Sequence, residues 1–257
     1  MNPLRIIHLF PELLNLYADQ GNIAVLRDRA QRRGWPVCVE QVRLREALDL
    51  AGADIVLLGG GSDREQEVVA RALPMYRPDL TAAADAGLPI LAVCGGYQLL
   101  GEYYELGSGE RIAGLRLVDM ATKAGGKRLI GNVAVERLTP SGQGTGETVV
   151  GFENHVGRTR HEYPAFGRVL RGHGNNGEDG LEGLCHKGIV ATYIHGPLLP
   201  KNPHIADHLL GLALRRRGVD EPLAPLDDAF EWSAHKSVLQ MLGLSEGGLV
   251  RDRLVRS

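Results

Sequence analysis

PILAVCGGYQLLG, at residues 89–101, joins a strand pattern to a helix pattern through two glycines and is the strongest indication of the fold. Its first half, PILAV, is the short apolar run that is typical of a strand buried on both faces. Its second half, YQLLG, begins a helix pattern. Cys94 lies at the turn between them, where the glycines relax the steric limits on the backbone. This arrangement predicts a nucleophile elbow, with Cys94 above the carboxyl edge of a sheet.

Strand and helix patterns alternate on both sides of this turn. LRIIHL at 4–9 and VCVEQV at 37–42 flank a stretch with helical spacing, and DIVLLGGG precedes a further helical stretch. Such alternation predicts an α/β fold, doubly wound around a mostly parallel sheet with helices on both faces. The second half indicates shorter strands, a glycine-rich loop at 173–183 and C-terminal helices from about residue 202. We predict one domain over residues 1–257, since no low-complexity linker divides the chain.

Composition and charge exclude several classes of protein. The chain has 29 Lys and Arg against 31 Asp and Glu, so its overall charge gives no reason to expect nucleic acid or an anionic membrane as a partner. No run approaches the roughly 20 apolar residues of a transmembrane segment, and the N-terminus lacks the features of a signal peptide. The three widely spaced cysteines indicate neither a disulfide framework nor a zinc site. We therefore expect a cytoplasmic protein.

Cys94 has candidate partners for nucleophilic catalysis. A thiol nucleophile needs a base, and it needs donors for the oxyanion that forms when it attacks a carbonyl. His195 ends the apolar stretch GIVATYIH, which places it at the same sheet edge if the two strands are neighbours. LLGGG at 57–61 ends another strand, and we predict that the N–H groups of Gly60 and Gly95 hold the oxyanion. The helix N-terminus after Cys94 predicts a lowered thiol pKa.

Two other interpretations compete with this one. A lone cysteine at the end of a strand is more often a small core residue than a nucleophile. A glycine-rich turn can also bind phosphate, but the sequence has neither G-x-x-x-x-G-K-[ST] nor G-x-G-x-x-G opening a helix at this position. The elbow favours the nucleophile, and the missing motifs disfavour a nucleotide.

LLGGG, AVCGGYQLLG and ATYIHGPL, in that order and spacing, resemble the class I glutamine amidotransferases. GFENHVGRT at 151–159 is similar to a motif of their CobB/CobQ-like branch. The chain also resembles, over its whole length, the GatD family of lipid II isoglutaminyl synthase subunits, on NLYADQGN at 15–22, KRLIGN at 127–132 and YIHGPLLPKNP at 193–203. The resemblance implies a flavodoxin-like fold and a glutaminase with a cysteine nucleophile and a histidine base.

The resemblance further implies a partner and an acceptor. A GatD subunit forms a heterodimer with a MurT-like, ATP-dependent Mur-ligase subunit. That partner uses the ammonia to amidate the D-glutamate α-carboxyl of lipid II to D-isoglutamine in peptidoglycan biosynthesis. ATP and Mg then belong to the partner, and we expect no cofactor in this chain. Two alternatives stay open: an amidotransferase for a corrinoid acceptor of the cobyric acid type, and a catalytically quiet binding subunit.

One feature departs from the class I pattern. Those enzymes commonly carry an acid two residues after the histidine, whereas His195 is followed by Gly196 and Pro197. An imidazole without an orienting acid is a poorer base. Three explanations are open: an acid elsewhere in this chain, such as Glu153, a dyad without a third member, or an aspartate from the partner. The resemblance favours the partner, so we expect weak activity from the isolated chain.

Glutamine carries an α-carboxylate and an α-ammonium group, so its pocket should contain an arginine and acceptors. The resemblance assigns the carboxylate to Arg128 and a substrate contact to Gln98; a solvated charge and a helix surface residue are the respective alternatives. Glu153 and His155 share one face if they lie in a strand. With Asn154 they are either a wall of the pocket or a subunit contact. Two ligands without a third do not make a metal site, so we expect none.

Overall fold

The computed structural model describes residues 2–15 and 19–245. In chain order its strands are β1 (Leu4–Leu9), β2 (Val37–Val42), β3 (Ile55–Leu58), β4 (Ile90–Val93), β5 (Tyr103–Glu105), β6 (Arg111–Ala113), β7 (Met120–Leu138), β8 (Gly144–His161), β9 (Gly167–Arg171), β10 (Leu181–Glu182), β11 (Leu184–His186) and β12 (Ile189–Thr192). Its α-helices are α1 (Gln20–Arg32), α2 (Asp63–Ala70), α3 (Leu73–Asp85), α4 (Gly95–Leu100), α5 (Pro203–Arg216) and α6 (Ala229–Met241).

The first sheet is the predicted one and positions the thiol. Its strand order is β11-β12-β4-β3-β1-β2, and every pairing is parallel except that of β11 with β12. All four residues of β3, of β4 and of β12 are buried, as the uninterrupted apolar runs of these strands require in a covered sheet. The prediction of a doubly wound α/β fold is confirmed.

Helix α2 has a well-defined start beside the glycine-rich turn. The hydroxyl of Ser62 accepts from the N–H of Glu65 at 3.4 Å, and the Glu65 carboxylate accepts from the N–H of Ser62 at 2.7 Å. This capping box satisfies two amides that the helix leaves unpaired. The structure separates α2 from α3, whereas the sequence pattern is one helical stretch.

The second sheet differs from the sequence prediction. Its order is β10-β9-β7-β5-β6, with β8 paired to β7. The predicted short strands are in fact two long antiparallel strands, β7 and β8, of 19 and 18 residues. Their register shifts between Ala124 and Leu129, around Gly125 and Gly126. Glycines and a bulge of this kind bend a strand without ending it, so a pattern that looks interrupted in sequence is continuous in space.

The two sheets share one hydrophobic core. Its largest cluster includes Ile7 and Val93 from the first sheet and Val135 and Val149 from the second. One domain over residues 1–257 remains a prediction. Within the described ranges, no helix is both long and apolar enough to cross a bilayer. Among the same residues, no group of three or more His, Cys, Asp or Glu is arranged to hold a metal ion.

Candidate active site

Cys94 occupies the turn between β4 and α4 in a conformation that few non-glycine residues adopt. Its φ is 52° and its ψ is −106°. The helix can follow at once because Gly96 approaches β3: a Cβ on Gly96 would lie 2.3 Å from the carbonyl oxygen of Leu58. This is the backbone geometry of a nucleophile elbow. The side chain is buried, with 5% exposure.

His195 lies beyond the carboxyl end of the neighbouring strand. In the parallel pairing of β12 with β4, Thr192 is opposite Val93, and the N–H of Cys94 donates to the carbonyl of Thr192 at 2.8 Å. Three residues later, His195 exchanges two backbone hydrogen bonds with Phe152, of 2.9 and 3.1 Å. The bridge to the second sheet therefore fixes the backbone of His195 at the edge where Cys94 emerges.

The thiol pKa differs from the expectation. Burial raises the pKa of Cys94 to about 12, and the negative charge of Asp19 raises it further. The N–H of Gly95 and the charge of Arg128 act in the opposite direction without prevailing. Helix α4 has only six residues, so its N-terminus does not outweigh the loss of water around the sulfur. Cys94 is therefore a neutral thiol at rest and depends on a base.

His195 is a weak base in this chain. Burial lowers its pKa to about 4, and the nearby His155 and Lys201 lower it further, while the charge of Glu153 opposes them. The imidazole is neutral at pH 7, which is the correct form for accepting a proton. Its low proton affinity makes the transfer from a thiol of raised pKa unfavourable.

The oxyanion prediction needs a correction at one position. The N–H of Gly60 donates to the Asp19 carboxylate at 2.9 Å, so this donor is already engaged. Gly61 of the same turn lines the cavity beside Cys94, and its backbone nitrogen lies 2.9 Å from where a Cβ on Gly95 would be. Which amide of a glycine-rich turn faces the substrate depends on its dihedral angles, which the sequence does not specify.

A cavity of about 370 Å³ opens beside Cys94. Of the predicted site residues, its lining includes Cys94, Gln98, Arg128, Asn154 and His155; the other lining residues are Gly61, Ser62, Asp63, Arg64, Gln66, Tyr104 and Val156. The remaining predicted residues, Gly60, Gly95, Glu153 and His195, are not among those lining residues. The predicted substrate contacts therefore surround the cavity, whereas the predicted base is outside its lining.

The two predicted substrate contacts are held by neighbours. The guanidinium of Arg128 donates to the side chain of Asn154 at 2.9 Å. The Gln98 amide donates to the hydroxyl of Tyr193 at 3.1 Å, and the residue is 4% exposed. Gln98 is thus a buried residue in the cavity wall, and the helix-surface alternative does not hold.

Glu153 holds the start of the glycine-rich loop at 173–183 through hydrogen bonds. Its buried carboxylate accepts from the N–H and Nδ1 of His173, both at 2.7 Å, and from the N–H of Gly174 at 3.0 Å. Burial alone would raise the pKa of Glu153, but the nearby His155 and hydrogen bonds from His173 and Gly174 lower it overall. Oε2 is 3.8 Å from Nε2 of His155. The carboxylate is therefore already engaged with the 173–174 backbone and the His173 imidazole.

Sequence reasoning missed two buried residues behind the site. Tyr193 stacks flat on His155, with ring centroids 3.6 Å apart and planes 6° from parallel. Glu182 accepts from the Thr192 hydroxyl at 2.6 Å and from the Tyr193 N–H at 2.7 Å, and burial raises its pKa to about 7. Tyr193 could have been found because it directly follows β12 and lies two residues before His195. For Glu182, the only sequence signal of a special role is its position between glycines in the 173–183 stretch.

Asp19 was also missed, although it lies in the quoted stretch NLYADQGN. Its carboxylate is fully buried, and burial raises its pKa to about 6. Residues 16–18 of that stretch lie outside the described residues. An acid just before a helix is usually a cap, so no local pattern indicates that Asp19 holds the glycine-rich turn instead.

Comparisons with known proteins agree with this geometry. Residues 5–203 match the model of the CobB/CobQ-like glutamine amidotransferase domain. A solved glutamine amidotransferase from Thermotoga maritima superimposes with a TM-score of 0.53 over 100% of both chains. Its sequence identity is 15%, so the likeness concerns the fold alone. The fold and the family match together identify the chain as a glutamine amidotransferase.

Two relatives narrow the family. The chain is 41% identical over 239 residues to the GatD subunit of lipid II isoglutaminyl synthase (glutamine-hydrolyzing) of Staphylococcus aureus, covering 93% of this chain and 96% of the relative. It is 37% identical over 229 residues to the subunit of the same name from Streptococcus pneumoniae, covering 88% and 86%. The chain belongs to the GatD family of CobB/CobQ-like glutamine amidotransferases.

Proposed function

We propose that this chain is the glutaminase subunit of a heterodimer that amidates lipid II. It hydrolyses L-glutamine and delivers ammonia to a MurT-like, ATP-dependent ligase subunit, which converts the D-glutamate α-carboxyl of lipid II to D-isoglutamine in peptidoglycan synthesis. The observation that carries the proposal is the Cys94 elbow beside β12, in a chain that aligns almost end to end with two GatD subunits.

In the first half of the reaction, a thioester forms and ammonia leaves. The thiol proton of Cys94 passes to Nε2 or Nδ1 of His195 as Sγ attacks the side-chain amide carbon of glutamine. The tetrahedral intermediate collapses, the carbon–nitrogen bond breaks, and the imidazolium gives its proton to the departing nitrogen. In the second half His195 takes a proton from water, the resulting hydroxide attacks the thioester, and glutamate and the thiol are released.

Backbone donors stabilise the oxyanion of both tetrahedral intermediates. We assign them to the N–H groups of Gly61 and Gly95. Gly95 directly follows the nucleophile, and the backbones of the two glycines are packed against each other. Gly60 is set aside because its N–H donates to Asp19. Rigid amides of this kind stabilise charge as it develops and need no reorganisation.

The cavity supplies recognition of the substrate. Arg128 takes the α-carboxylate of glutamine, since a guanidinium matches a carboxylate in shape and charge. Asn154 holds that guanidinium at 2.9 Å, which reduces the number of conformations that binding must select. Gln98 contacts the substrate from the wall next to Cys94. His155 is part of this wall and Glu153 is not among the lining residues; both are pocket architecture.

A partner completes the base. The raised thiol pKa and the lowered pKa of His195, about 12 and about 4, make proton transfer within the isolated chain unfavourable. A carboxylate placed beside the imidazole by the partner would raise the pKa of His195 and orient the ring. Glu153 is engaged with His173 and Gly174, which favours an acid from outside the chain over Glu153.

The remaining parts of the proposal concern the whole assembly. ATP and Mg bind to the ligase subunit, and this chain carries no cofactor of its own. The chain is one domain over residues 1–257 and resides in the cytoplasm. The free state of Cys38, Cys94 and Cys185 is consistent with a reducing compartment.

The deciding experiment is glutamate release from glutamine by the purified chain, alone and with a co-expressed Mur-ligase-like partner. Wild type is compared with Cys94→Ser in both settings. We expect Cys94-dependent release that rises sharply when the partner is present. Absence of release in both settings would instead favour a catalytically quiet subunit, and full release by the chain alone would mean that the orienting acid is already in this chain.

A further inference from the structure

Helix α2 contributes two hydrogen-bond acceptors to the cavity wall that the mechanism above leaves unused. We propose that Asp63 and Gln66 form the acceptor side of the glutamine pocket. The Asp63 carboxylate receives the α-ammonium group, and Oε1 of Gln66 receives an N–H of the side-chain amide that Cys94 attacks. The inference rests on the proposed function, because it assigns the recognition of glutamine within that site.

The position of both residues follows from the start of the helix. The capping box fixes the first residue of α2 at Asp63, directly after the glycine-rich turn. Gln66 is three residues further on, and residues three apart lie on the same face of a helix. Both line the cavity together with Cys94 and Arg128. One face of α2 is therefore a wall of the space that the substrate must enter.

Gln66 has an unsatisfied acceptor. The residue is 2% exposed, and its Nε2 donates to the carbonyl of Gly61 at 3.2 Å, which sets the orientation of the amide. Its Oε1 is buried and accepts no hydrogen bond within the described residues. A buried acceptor without a donor costs free energy, and native structures rarely leave one without a role.

The missing donor matches the chemistry next to it. The amide carbon of Gln66 lies 3.2 Å from where a Cβ on Gly95 would be, which places this side chain against the residue that follows the nucleophile. A carboxamide has two N–H donors and an ionised carboxylate has none. An acceptor at this point therefore favours glutamine over the product glutamate.

Asp63 meets the other nitrogen of the substrate. Among the lining residues in the described part of the chain, Asp63 is the one with a negative charge, and Arg64 and Arg128 carry positive charges. Tyr104 is 2% exposed and lies close enough to Asp63, Arg128 and Cys94 for these groups to affect its pKa. A carboxylate and a guanidinium around one phenol form a pair of opposite charges, which is the arrangement that an amino acid zwitterion needs.

Asp63 also has an ordinary structural explanation, since an acid in the first turn of a helix interacts well with the helix dipole. That explanation predicts a small loss of stability and no selectivity among ligands. The proposal predicts that replacing Asp63 slows the reaction of Cys94 only with reagents that carry an α-ammonium group. A reactive glutamine analogue and a reagent without amino acid groups separate the two.

The test of Asp63 measures the rate at which Cys94 is alkylated, followed by mass spectrometry. The probes are 6-diazo-5-oxo-L-norleucine, which keeps the α-ammonium and α-carboxylate groups but has no amide N–H, and iodoacetamide, which has neither charged group. We expect Asp63→Asn to slow alkylation by the diazo compound at least about tenfold, which is the loss expected for a charge-assisted hydrogen bond. The rate of alkylation by iodoacetamide should stay unchanged. Glu67→Gln removes a charge from the same helix away from the cavity and should change neither rate.

The test of Gln66 uses the same probe with the opposite expectation. Gln66→Met keeps the side-chain length and removes the acceptor, so kcat/KM for glutamine should fall at least about tenfold while alkylation by the diazo compound stays unchanged. Thermal unfolding of each variant verifies the fold, and Gln66→Glu provides a second variant of nearly the same shape. The alkylation and hydrolysis assays both use the complex with the partner where wild type is active only there.

Three results would overturn the proposal. One is an unchanged rate of alkylation by the diazo compound in Asp63→Asn. Another is an equal decrease in the alkylation rates of both probes in that variant. The third is a Gln66→Met variant that loses alkylation by the diazo compound as much as it loses glutamine hydrolysis. In the complex with the partner, a wild-type Cys94 that reacts with iodoacetamide and ignores the diazo compound contradicts the proposed function itself, which distinguishes that failure from the other three.

Discussion

The backbone N–H of Cys94 donates to the carbonyl of Thr192 at 2.8 Å, which joins the end of the nucleophile's strand to the end of the strand that leads to His195. The Thr192 hydroxyl in turn donates to the buried Glu182. The positions of Cys94 and Thr192 are therefore set by backbone pairing within the sheet. This pairing holds the two strand ends in register before any substrate arrives.

Cys94→Ser should abolish Cys94-dependent ammonia release while leaving partner binding intact. A hydroxyl in place of the thiol is a much weaker nucleophile and does not form a thioester, and the change is nearly isosteric. Ammonia release and co-purification with the partner are the two measurements. Cys38→Ser, at an exposed position away from the cavity, is the matched control and should retain activity. Full activity of Cys94→Ser would remove the nucleophile from this position.

His195→Ala should reduce turnover at least about 100-fold, the lower range of what a general base contributes. The pH dependence gives a sharper test. Because the folded pKa of His195 is lowered to about 4, the acidic limb of kcat/KM for the isolated chain should lie near that pH. A partner carboxylate favours the imidazolium and should move the limb to higher pH.

The pH profile of kcat/KM, with and without the partner, checks both statements. His186→Ala is a suitable control, because that residue lies on β11 and is not among the residues lining the cavity. An acidic limb that does not move when the partner binds would argue against an acid supplied in trans.

Replacing Arg128 should mainly weaken glutamine capture. Loss of a charge-assisted hydrogen bond to the α-carboxylate costs about 1.5–3 kcal/mol, so Arg128→Ala should raise the glutamine requirement about 10- to 100-fold. The measurement is glutamate release as a function of glutamine concentration. Arg160 lies on the same sheet as Arg128 and pairs with Glu178. Arg160→Ala should therefore leave the dependence on glutamine concentration unchanged. An unaltered glutamine dependence in Arg128→Ala would exclude the assigned role.

Stability should fall as the pH drops from about 6.5 to about 4. Burial lowers the pKa of His8 from 6.5 to about 4 and that of His204 from 6.5 to about 3. The unfolded chain therefore binds protons that the folded chain excludes, so the penalty is absent above pH 6.5 and grows as the pH falls. For His8 alone it is on the order of 3 kcal/mol. Urea unfolding at a series of pH values measures it.

Two buried acids act in the opposite direction. Burial raises the pKa of Asp19 to about 6 and that of Glu182 to about 7, so their cost is greatest at high pH and is relieved as they are protonated. His204→Phe separates the two effects, because it keeps the stacking on Trp232 and removes one titrating group. This variant should lose less stability between pH 6.5 and 4 than wild type does. An equal loss in both proteins would rule out His204 as a source of the acid sensitivity.

Gly96→Ala should destabilise the elbow. Its Cβ would lie 2.3 Å from the Leu58 carbonyl oxygen, a backbone atom that cannot move without displacing β3. Overpacking of this kind costs about 1–3 kcal/mol, and here it also displaces Cys94. Thermal unfolding and glutamate release should both decline. Gly107→Ala, where nothing lies within 4 Å of the new atom, is the control and should be neutral.

Much of the site could be predicted from local pattern. PILAV, two glycines and YQLLG specify the strand, the turn and the helix around Cys94, because each of these depends on residues that are neighbours in sequence. GIVATYIH likewise predicts β12 and brings His195 to its carboxyl side. The continuous β7 and β8 were not predictable in the same way, because a bulge at glycines interrupts the pattern without interrupting the strand.

The doubly wound fold and the elbow at Cys94 could be predicted from the amino-acid sequence, since they follow from periodicity and turn chemistry. The amidotransferase class came from the resemblance of its motifs to a known family. Only the tertiary structure decided that Asp19 accepts the Gly60 amide, that Gly61 lines the cavity and that Asp63 and Gln66 face it. It also decided the pKa values of Cys94 and His195, about 12 and about 4. These properties depend on burial and on groups distant in sequence, and the loss of water around a thiol or an imidazole exists only once the chain has folded.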